Sequence, residues 1–108
     1  MITSHILNIS TGKPAEGVEA VLFYQANDNW TEIAKSKTNS EGRIQEWLSK
    51  EPEAGIYKIR FETKEYFGKN SVATFYPYVE IVFEIKSNEH YHIPLLLSPF
   101  GYSTYRGS

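Results

Sequence analysis

Within the segment Ile56–Thr63, residues Tyr57 to Glu62 alternate strictly between apolar and charged, and this period of two constrains the fold of the chain more than any other feature. The alternating members are Tyr57, Lys58, Ile59, Arg60, Phe61 and Glu62. Successive side chains of a β-strand point to opposite faces of a sheet. The segment therefore predicts a strand with one face on a core and the other in water.

Similar short segments recur along the whole chain and are separated by turn residues such as Gly, Pro, Asn and Asp. The predicted strands are Ser4–Ser10, Val18–Tyr24, Trp30–Thr38, Arg43–Leu48, Ile56–Thr63, Val79–Lys86, His90–Ser98 and Tyr102–Gly107. A spacing of about 8–12 residues between short strands is typical of a β-sandwich. The aromatic share of 15% agrees with half-buried sheet surfaces. The fold class is predicted as all-β.

The segments between the strands carry their own predictions. Thr11–Pro14 is expected to be a turn that stops further pairing, and Asn27–Asn29 a short hairpin turn. Ser87–Glu89 is expected to join two neighbouring strands as a second hairpin turn. One or two helical turns are predicted at Glu65–Lys69, although Gly68 weakens them.

Length and composition exclude several classes of protein. A chain of 108 residues is expected to form one domain over residues 1–108. Since there is no Cys, disulfide scaffolds, thiolate zinc sites and Cys nucleophiles are excluded. A net charge of -2 indicates neither a nucleic acid nor an anionic membrane as partner. The N-terminal residues lack the features of a signal peptide, so a cytoplasmic location is expected.

Three His and one Arg are candidates for chemistry. His90 and His92 are two residues apart, which places both on one face of a strand, and His5 could join them as a zinc ligand. Spacing alone favours surface His residues instead. Arg43 follows Gly42 directly. It is either an ordinary surface Arg, solvated or paired with a carboxylate, or a residue that binds an anion or a carbonyl through its parallel donors.

The C-terminal third of the chain holds two further features. The run Ile93–Leu97 is apolar on both strand faces, which favours a subunit interface, and Pro94 within it predicts a locally unpaired strand side. The tail 101–108 is either a last strand with a polar end or a means of bringing hydroxyls, a guanidinium and the α-carboxylate to one place.

Two long segments of the chain resemble a known family. They are SHILN with TGKPA near the N-terminus, and HYHIPLLLSPFGYST followed by the terminal YRGS. Gly42-Arg43 and Tyr66-Phe67 also agree with the family pattern. Together these residues are similar to the 5-hydroxyisourate hydrolases, the transthyretin-like proteins of urate degradation. The resemblance covers essentially the whole chain, and the YRGS terminus is its most specific marker.

This resemblance implies a transthyretin-like sandwich of two sheets and eight strands with one short helix. It also implies a homotetramer whose active sites lie in a central channel where subunits meet, and no cofactor or metal. The implied catalytic residues are His5, Arg43, His92 and the terminal Ser108, and the implied substrate-binding residues are Tyr105, Arg106 and Gly107. The implied reaction opens the ring of 5-hydroxyisourate to give 2-oxo-4-hydroxy-4-carboxy-5-ureidoimidazoline.

The chemistry of these side chains suits that reaction. His has an unperturbed pKa of ~6.5 and can take a proton from water near neutral pH. Either His92 or His5 could be this base, with the other orienting the water. Arg43 would hold a carbonyl and stabilise its oxyanion. Ser108 would bind substrate or water through its hydroxyl or carboxylate, and the role of His90 stays open.

Three alternative functions remain at this point. A transthyretin-like carrier of a small aromatic ligand would use the same channel without catalysis, although the polar YRGS tail argues against it. A metal-dependent hydrolase would use His5, His90 and His92, but no carboxylate that could orient them is evident. A purely structural oligomer is the third alternative.

Overall fold

The computed structural model describes residues 1–108 and contains nine strands and one helix. The strands are β1 (Ile2–Asn8), β2 (Lys13–Pro14), β3 (Glu19–Ala26), β4 (Asn29–Lys37), β5 (Arg43–Ile44), β6 (Gly55–Phe61), β7 (Val79–Ile85), β8 (Tyr91–Ser98) and β9 (Gly101–Thr104). The helix is α1 (Thr63–Lys69). The predicted all-β fold with one short helix is confirmed. No helix is long and apolar enough to cross a membrane.

The strands form two sheets that pack face to face. The first sheet has the order β2-β1-β8-β9, with β5 also paired to β1, and the second has the order β4-β3-β6-β7. Every pairing is antiparallel except that of β1 with β8, which is parallel. This parallel pair lies at the centre of the first sheet and carries the candidate site.

The alternation on β6 determines which of its side chains enter the core. Tyr57, Ile59 and Phe61 are buried, as predicted, while the charged residues between them lie on the outer face. Neighbouring strands repeat the pattern, and 18 buried residues from both sheets and α1 form one hydrophobic cluster. Burial of each large aliphatic or aromatic side chain contributes about 1.5–3 kcal/mol.

The hairpin between β3 and β4 follows from its two loop residues. Asn27 and Asp28 have φ of 53° and 67°, and the flanking Ala26 and Asn29 pair directly. Two residues with positive φ build the turn whose twist matches antiparallel strands, and Asn and Asp tolerate that conformation. The hairpin turn predicted at this position is confirmed.

Helix α1 begins two residues before its predicted start and ends at Lys69, as predicted. Phe67 and Thr63 are buried against the core, while Glu65 and Lys69 lie 3.6 Å apart on the exposed side. One apolar face is sufficient for so short a helix, since packing rather than propensity stabilises it.

Three of the predicted strand and turn assignments are wrong. The strand predicted at Arg43–Leu48 ends at Ile44. Its pairing with β1 covers only Ser4 with Ile44 and His5 with Arg43, and the next residues, Gln45 and Glu46, line a cleft instead of extending the ladder. The Thr11–Pro14 turn contains the short strand β2, which folds back onto Leu7 and Asn8.

The third correction concerns Ser87–Glu89, which is not a hairpin turn. β7 belongs to the second sheet and β8 to the first, so this segment crosses between sheets. The edge of β7 pairs with β6, and β8 pairs in parallel with β1. Both edges of β8 are occupied, by β1 and by β9, so β7 cannot pair with it and the loop passes to the other layer.

The last predicted strand is shorter than expected. β9 covers Gly101–Thr104, and beyond it only Gly107 pairs, through an isolated bridge to His92. The ladder between β8 and β9 starts at Leu95, one residue after Pro94, which agrees with the unpaired strand side predicted there.

Candidate functional site

The register of the first sheet brings the predicted catalytic residues together. Thr3 lies opposite His92 across the β1–β8 pair, and His5 lies opposite Arg43 across the β1–β5 pair. Directly paired residues project from the same face of a sheet. Ile6 on β1 and every second residue of β8 are buried in the core. The four side chains named above alternate with these residues, so they project from the outer face of the first sheet.

An open cleft of about 360 Å³ lies on this outer face. Its walls are formed by Met1, Thr3, Ser4, Arg43, Gln45, Glu46, His90, His92 and Ser108. Three of the four predicted catalytic residues, Arg43, His92 and Ser108, therefore line one cavity. His5 lies just beside it on β1, close enough for its charge to act on His92.

His92 is held on both sides by β1 and by the C-terminal tail. Its Nδ1 lies 2.7 Å from Thr3 Oγ1, and its carbonyl oxygen accepts a 2.8 Å hydrogen bond from the Gly107 N–H. Burial lowers the pKa of His92 below its ordinary value of 6.5, and positive charge on His90, Arg43 and His5 lowers it further. His92 is therefore neutral at pH 7 and can accept a proton.

His5 is shifted in the same direction. Burial lowers the pKa of the His5 imidazole, the Arg43 guanidinium lowers it further, and the backbone and carboxylate of Glu41 act in the opposite direction. Both half-buried His residues of the site are thus kept in the neutral form, and the geometry of a single subunit does not distinguish which one is the base.

Arg43 is free to bind a ligand. The five ion pairs of the structure do not include it, so the pairing with Glu41 considered from the sequence is absent. The loop before it is shaped by Asn39, whose Oδ1 accepts hydrogen bonds from the N–H groups of Glu41 and Arg43 at 2.9 and 3.0 Å. A cation without a carboxylate partner in a cleft is suited to a developing oxyanion.

The C-terminal tail divides between two surfaces. Gly107 bridges to His92, and Ser108 enters the cleft. Tyr105 and Arg106 instead line a neighbouring groove of about 280 Å³. There Arg106 forms an ion pair with Glu89, and its guanidinium lies 4.7 Å from the centre of the Tyr91 ring. The substrate-binding role of Tyr105 and Arg106 stays a prediction.

The close approach of Gly107 explains why this position has no side chain. A Cβ added there would lie 2.5 Å from His92 Cδ2, far inside normal contact. Gly101, at the start of β9, would tolerate a Cβ at 3.7 Å from Ser98 Oγ. The tail can therefore reach His92 only because residue 107 is Gly.

Several cleft residues are missing from the predictions made from sequence. Thr3 contacts both His90 and His92, and Gln45 and Glu46 form another wall. No sequence signal distinguishes Thr3 from any other polar residue on a strand. Only its register opposite His92 identifies it, and that register is a property of the folded chain.

The site holds no arrangement of ligands for a metal ion. No group of three or more His, Asp or Glu side chains is placed to hold one. His90 and His92 instead share the Thr3 hydroxyl, and their ring centres lie 6.1 Å apart. A neutral acceptor, an unpaired guanidinium and a terminal hydroxyl and carboxylate in one cleft can activate water and stabilise an oxyanion without a cofactor.

Comparisons with known proteins agree with this geometry. The model of the HIUase/Transthyretin family matches residues 2–107. The 5-hydroxyisourate hydrolase of Salmonella dublin is 46% identical over 110 residues, which cover 100% of this chain and 81% of the relative.

Two solved structures show the same fold. The 5-hydroxyisourate hydrolase of Klebsiella pneumoniae matches with a TM-score of 0.90 and 37% identity, over 99% of this chain and 98% of that one. Sea bream transthyretin in complex with thyroxine matches with a TM-score of 0.93 and 32% identity, over 98% and 93% of the two chains.

Proposed function

The chain belongs to the HIUase/Transthyretin family, and we propose that it hydrolyses 5-hydroxyisourate to 2-oxo-4-hydroxy-4-carboxy-5-ureidoimidazoline. The observation that carries this proposal is the meeting of His92, Arg43 and Ser108 in one cleft, with His5 beside them. The relative from Salmonella dublin, which carries the name of this enzyme, is similar over the whole chain.

The proposed reaction is the hydrolysis of a cyclic amide. The product carries a new carboxyl group and an open ureido group, so water adds to a ring carbonyl and the adjacent C–N bond breaks. The attacking water gives one proton to the base. That proton then passes to the leaving nitrogen, so no oxidant, reductant or second substrate is needed.

His92 or His5 is the proposed base. Both have lowered pKa values and are neutral near pH 7, so each can accept a proton from water. The one that is not the base would orient the water by a hydrogen bond. His92 has more support, because it lines the cleft and is held by Thr3 and Gly107.

Arg43 and Ser108 are proposed to bind the substrate. The guanidinium of Arg43 offers parallel donors to the carbonyl under attack and would stabilise the negative charge that develops on its oxygen. Ser108 supplies its hydroxyl and the α-carboxylate to the cleft. Met1 lines the same cleft, so both ends of the chain lie at the site. The hydrogen bonds of His90 and His92 go to Thr3 and not to Ser108, so a covalent acyl intermediate is not proposed.

The active protein is proposed to be a homotetramer with its active sites at subunit interfaces. The cleft is open on the outer face of the first sheet, and half-buried apolar side chains of Leu7 and Leu96 continue that face, paired in register. A second subunit on this face would cover the cleft and exclude water from it. The cytoplasmic location expected from the sequence stays a prediction.

An absorbance assay tests the proposed activity. 5-Hydroxyisourate is generated from urate by urate oxidase, and its decay is followed with and without the protein. We expect decay that accelerates in proportion to protein, is unaffected by a chelator, and returns to the background rate for the His92→Ala variant.

The result that would overturn the proposal is decay at the background rate with folded protein. Thyroxine binding by such an inactive protein would then support the carrier alternative, since the transthyretin of sea bream is similar over 98% of the chain.

A further inference from the structure

Thr3 makes a contact that the proposed reaction has not yet used. Its Oγ1 lies 2.7 Å from His90 Nε2 and 2.7 Å from His92 Nδ1, and only 8% of the residue is exposed. No other hydrogen bond of the Thr3 hydroxyl occurs within the chain. One hydroxyl thus joins the two imidazoles.

The position of this hydroxyl is rigid. Thr3 lies in β1 directly opposite His92 in the central parallel pair of the first sheet. A β-branched side chain in a strand has restricted rotation about its first bond. The hydroxyl is therefore held against the His92 ring by the backbone of two paired strands, while His90 reaches it from the exposed position directly before β8.

We infer that Thr3 selects the tautomer of His92 in which Nδ1 carries the proton and Nε2 is free to accept one. His90 accepts the hydrogen bond of the Thr3 hydroxyl and thereby sets the direction of that hydroxyl. This inference rests on the proposed function, because it assigns the base form of His92. Thr3 and His90 are positioning residues here, since they act through His92.

The count of protons allows two directions of the Thr3 hydroxyl, and only one of them leaves Nε2 of His92 free to act as the base. A neutral imidazole has one N–H, and a hydroxyl has one proton to donate and two lone pairs that accept. When Thr3 donates to His90 Nε2, its oxygen accepts from His92 Nδ1–H, and Nε2 of His92 is left without a proton. All contacts are then satisfied.

The opposite direction gives an inactive site. When the Thr3 hydroxyl donates to His92 Nδ1, the proton of neutral His92 is on Nε2, which can then no longer accept one from water. This direction requires His90 to donate from its Nε2. Removal of the acceptor on His90 leaves His92 Nδ1 as the only acceptor within reach of Thr3, so the tautomer of His92 should invert.

The groups around His92 do not offer another partner for Nδ1. Arg43 faces it with a positive charge, His5 lies nearby as a neutral imidazole, His90 is linked through Thr3, and the carboxylates of Glu46 and Ser108 line the wider cleft. Within the chain only Thr3 is hydrogen-bonded to the ring of His92. The tautomer therefore depends on one contact that a single substitution removes.

The tautomer can be measured directly by two-bond proton–nitrogen NMR correlation on full-length protein with nitrogen-15-labelled His, at pH 8 where His92 is neutral. We expect His92 to be protonated on Nδ1 in the wild-type protein and in Thr3→Ser. We expect protonation on Nε2 in His90→Ala, and a mixture of tautomers in Thr3→Val, which has the same shape without the hydroxyl.

Activity is the second readout. Loss of the base form of His92 should lower kcat by about tenfold to a hundredfold in Thr3→Val and in His90→Ala, because general base catalysis contributes about 10²–10⁴-fold. KM should change by less than about threefold in both variants. Thr3→Ser should stay within about threefold of wild type, because it keeps the hydroxyl. A fold defect alone would not be rescued by Ser in preference to the isosteric Val.

The outcomes separate this inference from the proposed function. A wild-type His92 protonated on Nε2, or a Thr3→Val variant with full kcat, would overturn the role of Thr3 even if the protein hydrolyses 5-hydroxyisourate. Protonation on Nδ1 in a protein without hydrolase activity would overturn the proposed function and leave the tautomer assignment standing.

Discussion

At the scale of single residues, the site depends on two His kept neutral beside an unpaired guanidinium. Burial and the charge of Arg43 both lower the pKa values of His5 and His92. Most exposed Arg residues are solvated or paired, and the other Arg residues of this chain follow that rule: Arg60 pairs with Glu62, and Arg106 pairs with Glu89. Arg43 differs because the register places it in the cleft.

The lowered pKa values predict the acid limb of the activity profile. The base is active when neutral, so protonation removes activity as pH falls. Because the folded-state pKa values lie below 6.5, kcat/KM should fall to half of its plateau only at a pH below 6.5. Initial rates across pH 4.5–8 measure this. A decline that is half complete above pH 6.5 would contradict it.

Replacing Arg43 with Ala should have two effects. The loss of the oxyanion donor should lower kcat by about 10²–10³-fold. The loss of its positive charge should also move the acid limb of any remaining activity to higher pH, because Arg43 lowers the pKa of both His residues. Steady-state kinetics across the same pH range measures both effects.

Arg60→Ala is the matched control for Arg43→Ala. Arg60 carries the same charge on the outer face of the second sheet, where it pairs with Glu62 and lies 3.8 Å over the ring of Tyr78. It should keep kcat within about twofold and lose about 1 kcal/mol of stability or less. Equal loss of kcat in both variants would indicate a general effect of charge and would refute the clamp.

At the scale of elements, the C-terminal tail contacts His92, and we expect it to position this residue. Beyond β9 it pairs with β8 only through Gly107, and an added methyl group there would collide with the His92 ring at 2.5 Å. We expect Gly107→Ala to lower kcat/KM at least about tenfold, because either His92 or the tail must move. The tail is exposed, so the free energy of unfolding should change by about 1 kcal/mol or less.

Gly101→Ala provides the control for the tail. Its Cβ would meet only Ser98 Oγ at 3.7 Å, an ordinary contact, and it lies in the same terminal segment. Kinetics and urea denaturation of both variants test the assignment. Full activity in Gly107→Ala would show that the bridge to His92 does not position the base.

The loop that presents Arg43 depends on Gly42. This residue has a φ of 75°, and a Cβ there would lie 2.5 Å from the Ile6 carbonyl oxygen and 3.0 Å from Pro14 Cβ. Gly12 has nearly the same φ of 76° but open space around it. Gly12→Ala should cost about 1 kcal/mol from backbone strain alone.

Gly42→Ala should cost about 3 kcal/mol or more, since the backbone clash adds to the same strain. Gly12 and Gly42 have nearly the same φ and differ in the space around them. Urea denaturation midpoints of Gly12→Ala and Gly42→Ala therefore measure how much stability the backbone clash at residue 42 costs. Equal costs would mean that the loop before Arg43 shifts freely, and the position of Arg43 would then be poorly defined.

At the scale of the whole molecule, one subunit leaves its cleft open on an outer sheet face. The proposed tetramer would cover that face through side chains such as Leu96, which is half-buried within the single chain. Sedimentation of the wild-type protein should give a mass near four times the 12.4 kDa of the chain. Leu96→Glu should give smaller species, because an ionised carboxylate at an apolar interface is costly to bury.

Ile33→Glu is the control for the assembly prediction. Ile33 is 40% exposed on β4, in the second sheet, and its substitution should leave the mass and the specific activity unchanged. A wild-type protein that sediments as a single chain and is fully active would contradict the assembly and the shared active site together.

The sequence by itself determined the local part of this structure. Alternation identified the core face of β6, and Asn27 with Asp28 identified the hairpin turn. The family resemblance also named His5, Arg43, His92 and Ser108. The core face and the hairpin turn depend only on residues that are neighbours in sequence. Periodicity indicates which side of a strand is buried, and turn residues indicate the backbone angles.

Only the tertiary structure decided which strands are partners. The parallel pairing of β1 with β8, 89 residues apart at the bond between Thr3 and His92, has no local signal. The crossing at Ser87–Glu89 follows from that pairing, because it places β8 in the first sheet while β7 belongs to the second. Since a cleft forms where distant strands meet, the contact of Thr3 with both His residues appears only once the register of the sheet is set.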